Sequence, residues 1–283
     1  MSPTLTQMPS AEALYLKAAT TLFKHPRGRP VFPALDARVE QVAVEARHLA
    51  DYRSVCGFQE SDTLPITFPH VMAGALHLQM MTAAAFPVPL LGLVHIRNRI
   101  EQDRALSADA RYDVQVTLGE ARDVRQGIEF DLLTRFEIGG EAVWREVSTI
   151  LYRLPAPKSS AGGKPAPAPS PLAEYQAFEA PNDIGRRYAS VGKDYNPIHL
   201  APLPAKLFGF KRHIAHGMWS VARCAALLEP KLGAAPRLLD VQFKQPLFLP
   251  GRVALKHRKL GAEIEYTLLS RHSDKVHLTG TLR

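Results

Sequence analysis

Cysteine is nearly absent: among 283 residues only Cys56 and Cys224 occur. Two isolated cysteines build neither a disulfide framework nor a thiolate metal cluster, so a reducing compartment is expected. Concentrated positive charge is also missing. The chain holds 35 Lys and Arg against 27 Asp and Glu, a net +8, yet no five of the cations stand in a row. Nor is there a zinc-finger or RNP-like motif, so nucleic-acid binding is not expected. A scattered basic surface suits small anions, phosphorylated cofactors or an acidic carrier protein instead. No stretch approaches the roughly 20 apolar residues a membrane-spanning helix requires, so no membrane partner is expected. The opening residues, MSPTLTQMPS, lack a basic segment followed by an apolar one. No secretory leader is therefore expected, and the cytoplasm is the default location. What the chain does have is 46% hydrophobic residues, ample for one large core or two small ones.

Proline is concentrated in one place. Pro155–Pro171 reads PAPKSSAGGKPAPAPSP, a composition that buries little apolar area and behaves as a semi-extended tether. It divides the chain into an N-terminal half (1–154), a linker (155–171) and a C-terminal half (172–283). The halves resemble each other. Phe68–Met81 (FPHVMAGALHLQMM) and Ile214–Leu227 (IAHGMWSVARCAAL) each place a His, a Met two residues later and then an apolar helical run. Val94–Asn98 (VHIRN) and Val241–Gln245 (VQFKQ) follow at nearly the same spacing. A repeat this long implies a duplicated domain. Each half reads as one long apolar helix followed by about four alternating strands, and a sheet curled around the helix is the simplest way to bury it. Ala11–Lys24 reads as a surface helix ahead of the first repeat, and Arg27–Pro33 as loop.

The chemistry-bearing segment is Tyr188–Leu200, YASVGKDYNPIHL. It puts a carboxylate, an amide and an imidazole (Asp194, Asn196 and His199) within six residues. Pro197 fixes its own φ and drives Asn196 out of the helical region. The segment therefore reads as a stiff, non-helical turn on which Asp and His side chains can converge. Taken alone it reads equally as a surface turn, with Asp194 and Asn196 bonding the local backbone and His199 a structural histidine. One imidazole with Asp and Asn is a poor ligand set, so neither a metal nor another cofactor is expected. Farther on, IAHGM opens the second apolar helix. The Gly217 amide lies at a helix N-terminus, where N–H groups lack intrahelical partners and meet the positive end of the dipole. That is a natural donor to a developing oxyanion. An acid–base pair beside such a donor is what chemistry next to a carbonyl requires.

The pattern Y-x-x-V-x-x-D-x-N-P-I-H followed by IAHGM resembles the MaoC-like dehydratases and type 2, R-specific enoyl-CoA hydratases. The resemblance covers roughly Tyr188–Val221 and extends, through the repeat, to the double-hotdog members. It implies an α+β fold: two hotdog folds in one chain, each an antiparallel sheet wrapped around a long central helix, arranged as a pseudo-dimer. It also implies a hydro-lyase acting on 2-enoyl or (R)-3-hydroxyacyl thioesters of coenzyme A or acyl carrier protein in fatty-acid metabolism. Asp194 and His199 become the catalytic pair, Asn196 a positioning residue and Gly217 the oxyanion donor. A hotdog thioesterase and a non-catalytic acyl-thioester-binding subunit are the alternatives. The last draws on one departure: Lys193 stands where the family carries Gly, so either the side chain bears about 1 kcal/mol of strain, if the position needs a positive φ, or the turn is rearranged.

In the first half, Tyr52–Phe58 (YRSVCGF) aligns with Tyr188–Asp194 (YASVGKD), so Phe58 replaces the Asp and no N-P-x-H follows. A half without its acid–base pair is free to house an acyl chain, for which Met72, Ala75, Leu76, Gln79 and Met80 are the candidate lining, the equal alternative being that they form the core of a purely structural half. Lys211 and Arg212, with Arg186, Arg187, Lys193 and Lys206, are candidates for contacting phosphates or an acidic carrier. Two hotdogs in one chain can satisfy the usual pairing internally, so a pseudo-dimeric monomer or a homodimer is expected.

Overall fold

The computed structural model of the chain describes residues 4–21, 24, 26, 28–90, 92–154 and 174–283; the Pro-rich linker lies outside them. In chain order the elements are β1 (Thr4–Leu5), α1 (Ala11–Thr20), β2 (Asp36–Ala43), α2 (Ala46–Cys56), α3 (Phe68–Thr82), β3 (Leu93–Gln102), β4 (Arg111–Leu118), β5 (Arg122–Val124), β6 (Gly127–Ile138) and β7 (Glu141–Arg153). The second half continues with β8 (Glu174–Ala180), α4 (Ile184–Gly192), α5 (Pro197–Leu200), α6 (Pro202–Leu207), α7 (Gly217–Leu232), β9 (Leu238–Phe243), β10 (Gly251–Leu260), β11 (Glu263–Ser270) and β12 (Val276–Leu282).

The strands follow their side-chain patterns. β4, RYDVQVTL, alternates strictly between buried and more open positions, the period-2 signature of a sheet with one face on the core. α3 and α7 are apolar enough to be buried by the sheets. α3 packs on β2, β4 and β6, and α7 on β11 and β12. Tyr52, Phe68, Leu76, Phe130, Phe136 and Trp144 are wholly buried in the first half, and Val221, Cys224, Leu228 and Leu268 in the second. Each such large apolar side chain contributes about 1.5–3 kcal/mol on burial.

The strand order is β2-β4-β6-β7-β3-β9-β12-β11-β10-β8, with β1 on the outer edge beside β2. Counting the principal strands of each half separately, both halves run first-third-fourth-fifth-second from edge to centre. They join by antiparallel pairing of β3 with β9, Arg97 opposite Gln242 and Glu101 opposite Leu238. One continuous sheet therefore wraps both helices, with a pseudo-twofold axis between β3 and β9. This is the double-hotdog architecture that the repeat implies. One detail differs from the sequence reading: each half has a fifth principal strand ahead of its helix, β2 or β8. These strands close the outer edge of each sheet by pairing with β4 and β10. Among the described residues, no helix is long and apolar enough to cross a membrane.

Candidate functional site

The motif segment is built from two helices and a link. α4 ends in the left-handed conformation at Lys193, φ 55°. The equivalent residue at the end of α2 is Gly57, φ 81°. The strain anticipated at Lys193 is thus present, and the link Asp194–Asn196 leaves α4 at a sharp angle. Asn196 is extended, as a residue before proline should be. The expectation of a wholly non-helical turn needs correction, however. Pro197 occupies the first turn of α5, where a missing N–H costs nothing, and Asn196 caps it by accepting from the Ile198 N–H at 3.4 Å. His199 therefore projects from a single helical turn. That turn lies against α4 at Gly185, where an added Cβ would stand 1.9 Å from the His199 carbonyl oxygen.

These elements bring Asp194 and His199 together. Asp194 Oδ2 lies 4.0 Å from His199 Nε2. The other ring nitrogen of His199, Nδ1, donates to the Ile214 carbonyl at 2.9 Å. A carbonyl only accepts, so the neutral ring carries its proton on Nδ1 and turns the Nε2 lone pair toward Asp194. Burial holds the His199 pKa below its usual value despite the attraction of Asp194. Asp194 is itself held below the usual carboxylate range. Its packed surroundings oppose the charge, but His216, His199, the Asn196 N–H and the Tyr15 hydroxyl outweigh them. At neutral pH the pair is a carboxylate facing an unprotonated imidazole nitrogen.

The structure adds two residues that sequence reasoning passed over. His216, the N-cap of α7, is buried and stacks on the His199 ring, centroids 3.8 Å apart. Its Nε2–H donates to the Asp194 backbone carbonyl at 2.9 Å, and burial, reinforced by His199, depresses its pKa to about 3. A neutral ring thus ties the motif link to the start of α7. The available signal was the repeat itself, which pairs His216 with His70. The second residue, Tyr15 of α1, donates to Asp194 Oδ1 at 3.1 Å. The N-terminal helix is thus part of the site and not only a surface helix; no local pattern announces a contact spanning 179 residues.

Gly217 is the first residue of α7, adjacent to His216. Its amide has no intrahelical partner, and a Cβ there would stand 2.8 Å from the Phe243 ring. Asp194, His199 and His216 offer three ligand-type atoms within 4.8 Å of one another. The Nε2 of His216 is already committed as a donor to the Asp194 carbonyl, and the two rings lie face to face.

The other sequence candidates are dispersed. Leu76 and Met80 are packed in the main core, and Met72 lies on its margin. Ala75 packs beside Leu14, Ala18 and Leu78 beneath α1, while Gln79 lines a separate cleft with Met8, Leu14 and Lys17. Five residues on one helical face thus meet three environments, because α1 covers part of that face. Lys211 and Arg212 are exposed ahead of α7, and Arg212 donates to the Pro250 carbonyl at 3.3 Å. Arg187 and Lys193 instead share a cleft between α2 and α4 with Arg47 and His48. In the first half, Phe58 occupies the Asp position, and His70, the counterpart of His216, donates to the buried Glu146 at 2.7 Å. Asn98 donates to the same carboxylate at 2.6 Å.

Comparison with known proteins agrees with this construction. The family model described as "MaoC like domain" matches residues 163–276. The 3-hydroxyacyl-thioester dehydratase X of Mycobacterium tuberculosis is 32% identical over 265 residues, covering 90% of this chain and 93% of that protein. A crystal structure of the mycobacterial protein superposes with a TM-score of 0.76 at 29% identity, over 88% of this chain and 99% of that one. The (R)-specific enoyl-CoA hydratase of Aeromonas caviae is 32% identical over 99 residues, 34% of this chain and 67% of that protein.

Proposed function

The chain belongs to the MaoC-like dehydratase family, and on that premise we propose that it is a hydro-lyase for acyl thioesters. It adds water to 2-enoyl thioesters and removes it from (R)-3-hydroxyacyl thioesters, within fatty-acid metabolism. The names of its mycobacterial and Aeromonas relatives support the substrate class and the R configuration. The single observation that carries the mechanism is the 4.0 Å gap between Asp194 Oδ2 and His199 Nε2. That gap is too long for a direct hydrogen bond. It matches one water oxygen bonded to both, since two bonds of about 2.8 Å meeting near a right angle span about 4 Å.

In hydration, Asp194 and His199 hold the water as two bases. Its oxygen attacks the β-carbon while one of its protons passes to the pair. The pair delivers that proton to the α-carbon, and the other stays on the new hydroxyl. Negative charge on the thioester oxygen is held by the Gly217 N–H. Dehydration runs the same path in reverse. Asn196 sets the angle between link and α5, and His216 ties the link to the oxyanion donor. Acid–base catalysis by a positioned pair is worth about 10²–10⁴-fold, and an oxyanion donor about 10²–10³ more.

The first half serves as partner wall for the acyl chain, with Met72 on the margin of its core. The phosphates of coenzyme A, or an acidic carrier protein, meet the basic residues Arg47, Arg187 and Lys193 in the cleft beside α4. The internal pairing through β3 and β9 supports a pseudo-dimeric monomer as the working unit. Both cysteines are buried free thiols, which suits the reducing cytoplasm.

The test is the ultraviolet absorbance of a 2-enoyl thioester, followed on coenzyme A and carrier-protein substrates of several lengths. Absorbance is expected to fall with formation of the 3-hydroxyacyl product and no release of free thiol. Asp194→Asn is expected to fold normally and lose at least 10²-fold in kcat. Thiol release without hydroxyacyl product would convert the reading to a thioesterase, and more than a few per cent of activity in Asp194→Asn would remove that residue from the mechanism.

A further inference from the structure

α1 precedes the first strand of either hotdog, yet it is fastened in a definite register. Leu14 and Ala18 pack with Leu78 of α3, and Ala75 and Leu90 border them. Past the helix end, Lys24 Nζ donates to the Ala83 and Phe86 carbonyls at 2.7 Å each, and the Leu90 N–H donates to Thr21 Oγ1 at 3.1 Å. This anchorage to both ends of the α3–β3 connection holds Tyr15 over the motif link of the other half. The Tyr15 ring stands edge-on to Tyr195, centroids 5.6 Å apart. Its hydroxyl accepts from the Tyr195 N–H at 2.7 Å and donates to Asp194 Oδ1 at 3.1 Å.

Asp194 Oδ1 accepts a second bond from the Asn196 N–H at 3.0 Å. One carboxylate oxygen is thus doubly tied, and the other faces the imidazoles. A phenol that accepts from an amide must send its own proton to the carboxylate, so the direction of the bond is determined by its neighbours. Burial first, then the Asp194 charge, drives the Tyr15 pKa far upward, which keeps that proton in place.

We propose that Tyr15 is a positioning residue of the active site: α1 brings its hydroxyl to Asp194 Oδ1 so that Oδ2 alone is presented to His199 and the reacting water. The first half thereby contributes a functional side chain to the second, in addition to the packing of α1 on α3. The inference rests on the hydro-lyase reading for its kinetic consequence but not for its electrostatic one.

Tyr15→Phe keeps the ring on Tyr195 and removes only the hydroxyl. A hydrogen bond to a charged group is worth about 1.5–3 kcal/mol, so kcat should fall roughly ten- to hundredfold with KM changed less than about twofold and Tm within a few degrees. The bond favours the ionised carboxyl, so its loss should move the acid limb of the pH–kcat profile to higher pH. A role in packing alone would leave that limb in place. The titration of the Asp194 carboxyl carbon by ¹³C NMR, assigned by its disappearance in Asp194→Asn, reads the same shift without turnover. Wild-type kcat in Tyr15→Phe, or an Asp194 titration identical to wild type, overturns the proposal. If the wild-type protein turns over no enoyl thioester, the functional reading fails and the titration alone decides the role of Tyr15.

Discussion

The two oxygens of Asp194 have different duties: Oδ1 is tied by Tyr15 and Asn196, while Oδ2 faces His199 and His216. The residue just before it carries the strain of bringing it there. Lys193 sits at φ 55°, and its first-half counterpart is a glycine. Left-handed backbone costs a residue with a Cβ roughly 1–2 kcal/mol, whereas glycine's extra freedom in the unfolded chain costs about 0.5–1. Lys193→Gly is therefore expected to stabilise the protein by about 0.5–1 kcal/mol, measured as a higher urea midpoint at unchanged slope. A lower midpoint would mean that the lysine side chain makes a compensating contact. Asp194 and His199 stood out in the sequence through their resemblance to a family motif, on a segment whose geometry proline and asparagine restrict. Tyr15 did not, and His216 was signalled only by the repeat, because each owes its place to a neighbour distant in the chain.

At the scale of elements, the decisive contact is α5 against α4. His199 rides on one helical turn, and its placement depends on how closely that turn approaches Gly185. An alanine methyl there would overlap the His199 carbonyl, the Cβ position being 1.9 Å away. Backbone has no rotamer with which to escape, so Gly185→Ala should shift α5 and widen the gap between Asp194 and His199. The expected outcome is a loss of at least tenfold in kcat, since displacements near 1 Å cost that and more. It should be accompanied by destabilisation of about 1–3 kcal/mol from overpacking. Wild-type kcat in a folded Gly185→Ala protein would show that α5 tolerates displacement. In the sequence Gly185 reads as an ordinary glycine near a helix start; its constraint comes from an element fourteen residues onward.

At the scale of the molecule, two hotdogs share one sheet but bury different polar groups. Burial depresses the pKa of His77 and of His216 to about 3 each. An unfolded histidine titrates near 6.5, so between about pH 6.5 and 3 the unfolded chain binds protons that the native one refuses. Stability then rises with pH, by up to about 1.4 kcal/mol per pH unit for each such imidazole. Glu146 adds to this at lower pH. Burial opposes its charge, but His70, His77 and Asn98 hold its pKa down to about 2. Its contribution is present above about 4.5 and is lost as pH falls toward 2. His70 works in the other direction: burial disfavours its charge, yet Glu146 raises it overall, so its contribution fades as pH rises through its native value. Tm should therefore fall steadily on acidification below about pH 6.5. A flat profile from pH 7 to 4.5 would show that the imidazoles gain solvent in the native state. Glu146→Gln should flatten the acid end specifically.

The sequence alone indicated the duplicated α+β plan, through apolar periodicity and a repeat in register, and it marked the Asp194–His199 segment, whose reading as an acid–base pair came from its resemblance to a family motif. Tertiary structure alone decided the rest. It chose which faces of α3 are covered, divided the expected acyl-lining residues among three environments, and brought Tyr15 and His216 onto one carboxylate. The physical reason is that those outcomes depend on close packing between elements far apart in the chain, where distances of a few tenths of an ångström separate a contact from a clash and no local pattern encodes which partner arrives.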